Sequence, residues 1–196
     1  MKTFKRLKLV FGSLLVMVLT TQTSLAQTYQ LSNAASTLIV DGTSNIHDWD
    51  IKAENQQGKI VVEFENGMLT KIDQLDFSVT AESLKSGKST MDKNTYKALN
   101  TGKYKQIVYK LNKVNSINCS NNNSCSVSTT GSLTISGKTK TVDIAFDIAI
   151  TQNKIILSGS KTIKMTDYGV EPPSVIFGTI TTGDAVDIKF KSSFIK

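Results

Sequence analysis

Apolar and polar residues alternate with a period of two over much of the chain. Ile60, Val62 and Phe64 alternate with Lys59, Glu63 and Glu65, with Val61 the exception. Phe77, Val79 and Ala81 repeat the pattern, and Ile107, Tyr109 and Leu111 do so less cleanly. Leu133 and Ile135 follow, then the longest run: Val142, Ile144, Phe146, Ile148 and Ile150, with Asp143 and Asp147 on the opposite side. Val186, Ile188 and Phe190 alternate with Asp187, Lys189 and Lys191. Such alternation puts one set of side chains on a buried sheet face and the other towards water.

Turn chemistry separates the runs. Asn66-Gly67 is a hairpin signal, and Ser136-Gly137-Lys138-Thr139 and Thr151-Gln152-Asn153-Lys154 each divide two strand-like segments. Thr182-Gly183-Asp184 opens the last strand. One stretch breaks the rhythm. Ser89 to Asn100 places Met91, Ala98 and Leu99 at helical spacing, with a Ser89-to-Asp92 capping pattern and Gly102 as the C-terminal cap. This predicts one short helix covering an end or side of the sheet. Nine strands result if His47–Glu54 and Lys59–Glu65 are separate, eight if Asn55-Gln56-Gln57-Gly58 is a bend within one strand. Short connections between alternating runs predict an antiparallel all-β domain, barrel or sandwich. An even, closed eight-stranded barrel leaves no free edges, and its interior is either filled or holds one small ligand.

The first 26 residues follow a different rule. Lys2, Lys5, Arg6 and Lys8 precede an apolar stretch from Leu9 to Leu19, and Ser24-Leu25-Ala26 offers a small-residue cleavage site. This predicts a secretory signal peptide over residues 1–26 and one domain over 27–196, in the periplasm or secreted. No second apolar run is long enough for a transmembrane helix. The formal charge of +7 comes from 23 basic and 16 acidic residues; without the four basic leader residues, 19 face 16, or +3. Arg6 is the only arginine, so the predicted mature chain has none. Phosphate and guanine recognition lean on arginine, which argues against a nucleic-acid partner.

Few residues offer chemistry. Cys119 and Cys125 flank a polar loop, and in an oxidising compartment a structural disulfide is favoured. A zinc site needs further Cys or His, and the spacing is not that of a Cys-x-x-Cys dithiol. His47 is the only histidine, between Ile46 and Asp48-Trp49. It is either a general base or ligand contact, or part of a packed cluster at a barrel end. Asp48, its neighbour on a strand, points to the opposite face and does not orient it directly. Glu63 and Glu65 lie on the polar side of their strand, and no phosphate-cradling glycine loop or nucleophile motif appears. The expectation is a binding protein with no catalytic residues and no metal.

The ordered motifs resemble those of the YceI-like family. Gly42-Thr43-Ser44-Asn45-Ile46-His47-Asp48-Trp49 is similar to its first-strand motif. Phe77 to Leu84, then Met91-Asp92-Lys93 through Tyr96, Leu99, Lys103-Tyr104 and Ile107, resemble its strand–helix–strand core. Gly131 to Lys140 and Thr166 to Pro173 resemble a later hairpin and loop. The resemblance implies an all-β, extended, eight-stranded antiparallel lipocalin-like barrel with one short helix. It also implies a polyisoprenoid ligand of the quinone or prenyl-phosphate kind, though the missing arginines favour a neutral lipid tail.

The leading expectation is therefore a secreted or periplasmic protein holding an apolar isoprenoid-type lipid, a quinone or prenyl chain, with no other cofactor. Phe77, Val79, Ile107, Tyr109, Leu133, Ile135, Ile144, Phe146, Ile148, Ile188 and Phe190 would line the interior, with His47 and Tyr109 as polar contacts to a head group. The alternative is a structural or protein-interaction barrel in which the same side chains fill a ligand-free core. Periodicity does not separate lining from filling.

Overall fold

The computed structural model describes residues 26–151, 153–175 and 178–196, and of Val175 only the backbone. The expected signal peptide lies outside the described residues, apart from Ala26, as does Gln152 in the expected turn at 151–154.

Among the described residues, twelve strands and one α-helix follow one another in chain order. They are β1 (Gln27–Leu31), β2 (Thr37–Ser44), β3 (Trp49–Ala53), β4 (Gln56–Glu65), β5 (Met68–Thr80) and β6 (Leu84–Lys85), then α1 (Ser89–Leu99). After the helix come β7 (Gln106–Asn121), β8 (Ser124–Ile135), β9 (Lys138–Thr151), β10 (Lys154–Lys164), β11 (Ser174–Val175) and β12 (Ile180–Ile195). All pairings are antiparallel, and eight strands close a ring in the order β1-β4-β5-β7-β8-β9-β10-β12, sealed by Leu31 opposite Phe194. The fold is a lipocalin-like barrel.

The ring is extended at one end, which we call the top. After the 3-10 turn Asn33–Ala35 the chain resumes as β2, so β12 pairs with β1 near its C-terminus and with β2 above. β3 and β4 are likewise one strand broken at Glu54-Asn55, which meets the expected bend only at Asn55, since Gln56-Gln57-Gly58 already belong to β4. The short β6 pairs with β3 at this end, and α1 lies against β6.

Local sequence accounts for the joints. Asn66 and Gly67 both take positive φ (52° and 79°), the type I′ geometry that matches strand twist, and Ser136-Gly137 does the same. The helix ends at Asn100 rather than Gly102: Asn100 is left-handed (φ 51°), and Thr101 N–H donates to Tyr96 O at 3.0 Å. The expected Ser89 cap is also replaced. Asp92 accepts from the Ser86 amide (2.8 Å) and hydroxyl (2.6 Å), holding the preceding loop to the first turn. Those bonds keep the Asp92 carboxyl below its usual range. Thr182-Gly183-Asp184 lies within β12 as a register break, not at its start.

The cysteines form the expected disulfide, but not around a loop. Cys119 and Cys125 are directly opposed across the β7–β8 hairpin, whose turn is Asn122-Asn123 alone.

Inside, the barrel is unequal. The lower half is packed solid by Tyr29, Ile60, Val62, Ile72, Val127, Ile148 and Ile155, all 4% exposed or less. Higher up, β9 and β10 pair only from Thr151–Lys154 as far as Phe146–Gly159, then part. The 3-10 turn Met165–Tyr168 packs against both strands there and against β12, and Tyr168 and Val170 are buried in the core. Thr166 is tied to β12 through Asp184, which accepts from its amide (2.9 Å) and its hydroxyl (2.8 Å).

Candidate lipid-binding cavity

Above the solid half, the walls enclose a cavity of about 600 Å³. That lies within the range of small-molecule sites, roughly 300–1,000 Å³. Its deep end is bordered by Leu75, Leu157, Ser192 and Phe194, and its middle by inward residues of β5, β7, β8, β9 and β12. Helix α1 supplies Met91, Thr95, Ala98 and Leu99 on one side. At the mouth stand Ile46, 57% exposed, with His47, Lys88, Thr90 and Pro173.

Of the residues expected to line the interior, Phe77, Val79, Ile107, Tyr109, Leu133, Ile135, Ile144, Phe146, Ile188 and Phe190 border this cavity, and so does His47. Ile148 does not. It is opposite Cys125 and Leu157 in the packed lower half and only 1% exposed, so it fills the core.

The two expected polar contacts are less available than the sequence implies. Thr129 donates its hydroxyl proton to Ile144 O at 2.9 Å. In its 3.1 Å contact with the Tyr109 hydroxyl, Thr129 can therefore only accept, so Tyr109 donates inward to the wall. Burial pushes the Tyr109 phenol above its ordinary value. His47 is exposed, and its Nδ1 lies 2.9 Å from the Asp48 backbone oxygen, not from the carboxylate. A carbonyl only accepts, so Nδ1 carries hydrogen and points away from any substrate role involving Asp48. The Ser44 hydroxyl, beside it, donates to His47 O at 2.7 Å.

Sequence reasoning missed several lining positions. Leu38 and Val40 on β2, Trp49 on β3 and Tyr168 after β10 all border the cavity. Trp49 lies flat over Gly42, where a Cβ would sit 2.0 Å from its ring, and its Nε1 donates to Thr43 O at 3.0 Å. Lys161 on β10 also borders the cavity. The signal for it was present: it is two residues from Gly159 and Ile163, in step with the inward Leu157.

Among the described residues no three His, Cys, Asp or Glu are gathered as metal ligands. No helix there is long and apolar enough to cross a membrane. What the arrangement offers is an enclosed apolar surface with an open mouth. In class, it is a lipocalin-like barrel with an apolar, open-mouthed cavity.

The chain belongs to the YceI-like family: the profile of the YceI-like domain matches residues 29–194. No curated protein matches the chain. Among solved structures it is similar to BcnA of Burkholderia cenocepacia, with 17% identity and a TM-score of 0.66, over 83% of this chain and 98% of that one. It is also similar to a polyisoprenoid binding domain from Saccharophagus degradans implicated in plant cell wall breakdown (12%, TM-score 0.64, 85% and 97%). A third is the Campylobacter jejuni YCEI protein (16%, TM-score 0.55, 79% and 84%). At these identities the likeness concerns the fold.

Proposed function

We propose that this protein is a non-enzymatic carrier of an isoprenoid-type lipid, a quinone or prenyl chain, held in the upper half of the barrel. The observation that carries this reading is the cavity of about 600 Å³ walled by apolar side chains above a solid core. The family membership and the Saccharophagus polyisoprenoid binding domain point the same way. Affinity would come from area burial, about 25 cal/mol per Å² of apolar surface. The ligand-lining residues are those named above without Ile148. Export, with cleavage near Ala26 and a periplasmic or secreted destination, is part of the proposal. The Cys119–Cys125 disulfide suits an oxidising compartment.

Lipid extraction and native mass spectrometry of protein purified from its own host test the reading. A co-purifying prenyl lipid is the expected result. Trp49 is the only tryptophan and borders the cavity, so an added prenyl quinone should quench its fluorescence. No co-purifying lipid, together with no quenching, would overturn the proposal.

A further inference from the structure

Lys161 stands where its neighbours on the same strand face are aliphatic. Along β10, Ile155 and Leu157 are buried, and Gly159, Lys161 and Ile163 continue the inward set half-buried. Lys161 borders the cavity one step above Gly159, just past the point where β9 leaves β10. Its ammonium has no hydrogen-bond or ion-pair partner among the described residues. No Asp or Glu borders the cavity, and the other basic side chains that do, Lys88 and His47, are exposed at the mouth.

An ammonium in a water-filled cavity keeps its hydration. A chain that displaces this water leaves the cation facing hydrocarbon, and an uncompensated charge in an apolar site is costly. An occupant that brings its own negative group to this level removes the penalty and gains a charge-assisted hydrogen bond. Discrimination between occupants therefore arises only once the cavity fills.

We propose that Lys161 makes the cavity select a single-chain lipid ending in a monoanionic carboxylate over the matching neutral lipid. The inference rests on the lipid-carrier reading and sharpens its ligand class. One ammonium is a compact point charge that one carboxylate neutralises. A diphosphate would bring more negative charge than Lys161 can match, and no arginine follows Arg6 in the chain. The apolar walls on either side of Lys161 require that the carboxylate arrive on a chain, not as a free ion.

Geranylgeranoic acid and geranylgeraniol share a chain and differ in head group. Titrated into the purified protein, the acid should bind at least about tenfold tighter, the size of one charge-assisted bond. Lys161→Met should abolish that preference while binding the alcohol at least as well as before. Lys161→Arg and Lys88→Met should both keep it. Sodium acetate, a carboxylate without a chain, should not compete. Equal binding of acid and alcohol by the unaltered protein would overturn the proposal, whatever the variants do. So would a preference that survives Lys161→Met or disappears in Lys88→Met, or tighter binding of geranylgeranyl diphosphate than of the acid. Binding of neither acid nor alcohol would remove the carrier reading as well.

Discussion

Phe146 and Phe190 meet edge to face across Gly159, with ring centroids 6.5 Å apart and planes inclined by 69°. The glycine makes this possible. A Cβ there would lie 2.9 Å from Phe190 Cζ, 3.0 Å from Phe146 Cβ and 2.9 Å from the Ala145 carbonyl oxygen. Gly159→Ala should therefore push the Phe190 ring into the cavity and strain the last β9–β10 pair. Urea unfolding should show a loss of about 1–3 kcal/mol, the usual cost of overpacking. Prenyl quinone binding should weaken in parallel.

Ile148 and Ile188 are both inward isoleucines, but they do different work. Ile148 is 1% exposed in the solid half, whereas Ile188 is only half-buried and faces the cavity. Ile148→Ala should cost about 2–5 kcal/mol in chemical denaturation, because it opens a void among packed neighbours. It should leave lipid affinity nearly unchanged. Ile188→Ala should show the reverse order, with a small stability loss and weaker binding. A large stability loss in both would mean that the upper half is packed as tightly as the lower.

Asp184 gives the top of the barrel a pH dependence. The Thr166 amide and hydroxyl hold its carboxyl below the ordinary value of 3.8. A carboxyl depressed in the folded state contributes stability that is fully present above 3.8 and is lost as pH falls through the folded value. Protection from hydrogen exchange over residues 165–170, taken relative to the intrinsic rate at each pH, should thus be high at neutral pH and fall below that value. Asp184→Asn should exchange faster at neutral pH, and its difference from the unaltered protein should shrink on acidification. A constant difference across that range would show that the charge is not what holds Thr166.

The alternating runs made the strands and the inward set legible, because a buried sheet face imposes period two whatever lies inside. Depth along the barrel was not legible. Ile144 and Ile148 share one strand and one face, yet one borders the cavity and the other fills the core. What separates them is the level at which β9 leaves β10, a pairing between distant segments. Lys161 was hidden for a related reason. Between Ser160 and Thr162 it reads as part of a polar stretch, although its step of two from Leu157 through Gly159 already puts it on the inward face, as the register against β12 bears out. Helix ends failed more locally. Asn100 and Gly102 are both suited to a left-handed cap, and the chain uses the first.

The disulfide should matter modestly. Its cysteines are six residues apart in sequence and already paired across a hairpin, so little chain entropy is removed by joining them. Replacing both by serine should cost about 2 kcal/mol in chemical denaturation, by the loop-closure relation for a short ring. Lipid binding, at the other end of the barrel, should be unaffected. A complete loss of folding would mean that the link does more than close the hairpin.

Tyr109 and Thr129 should respond unequally to removal of their hydroxyls. Thr129 is fully buried, donates to Ile144 O and accepts from Tyr109. Tyr109→Phe removes one donor and leaves Thr129 its bond to the backbone, a loss of about 1 kcal/mol. Thr129→Val strands both the tyrosine hydroxyl and one lone-pair site of the Ile144 carbonyl, so it should cost more, about 1–3 kcal/mol. In the double variant the phenol is gone, so the second substitution should cost less than it does alone. Denaturation of the two single variants and the double variant measures this coupling directly. Strict additivity would show that the Tyr109–Thr129 bond contributes nothing. Because this bond ties the Tyr109 hydroxyl to a neighbouring wall residue, Tyr109→Phe should also leave the affinity for prenyl quinone unchanged.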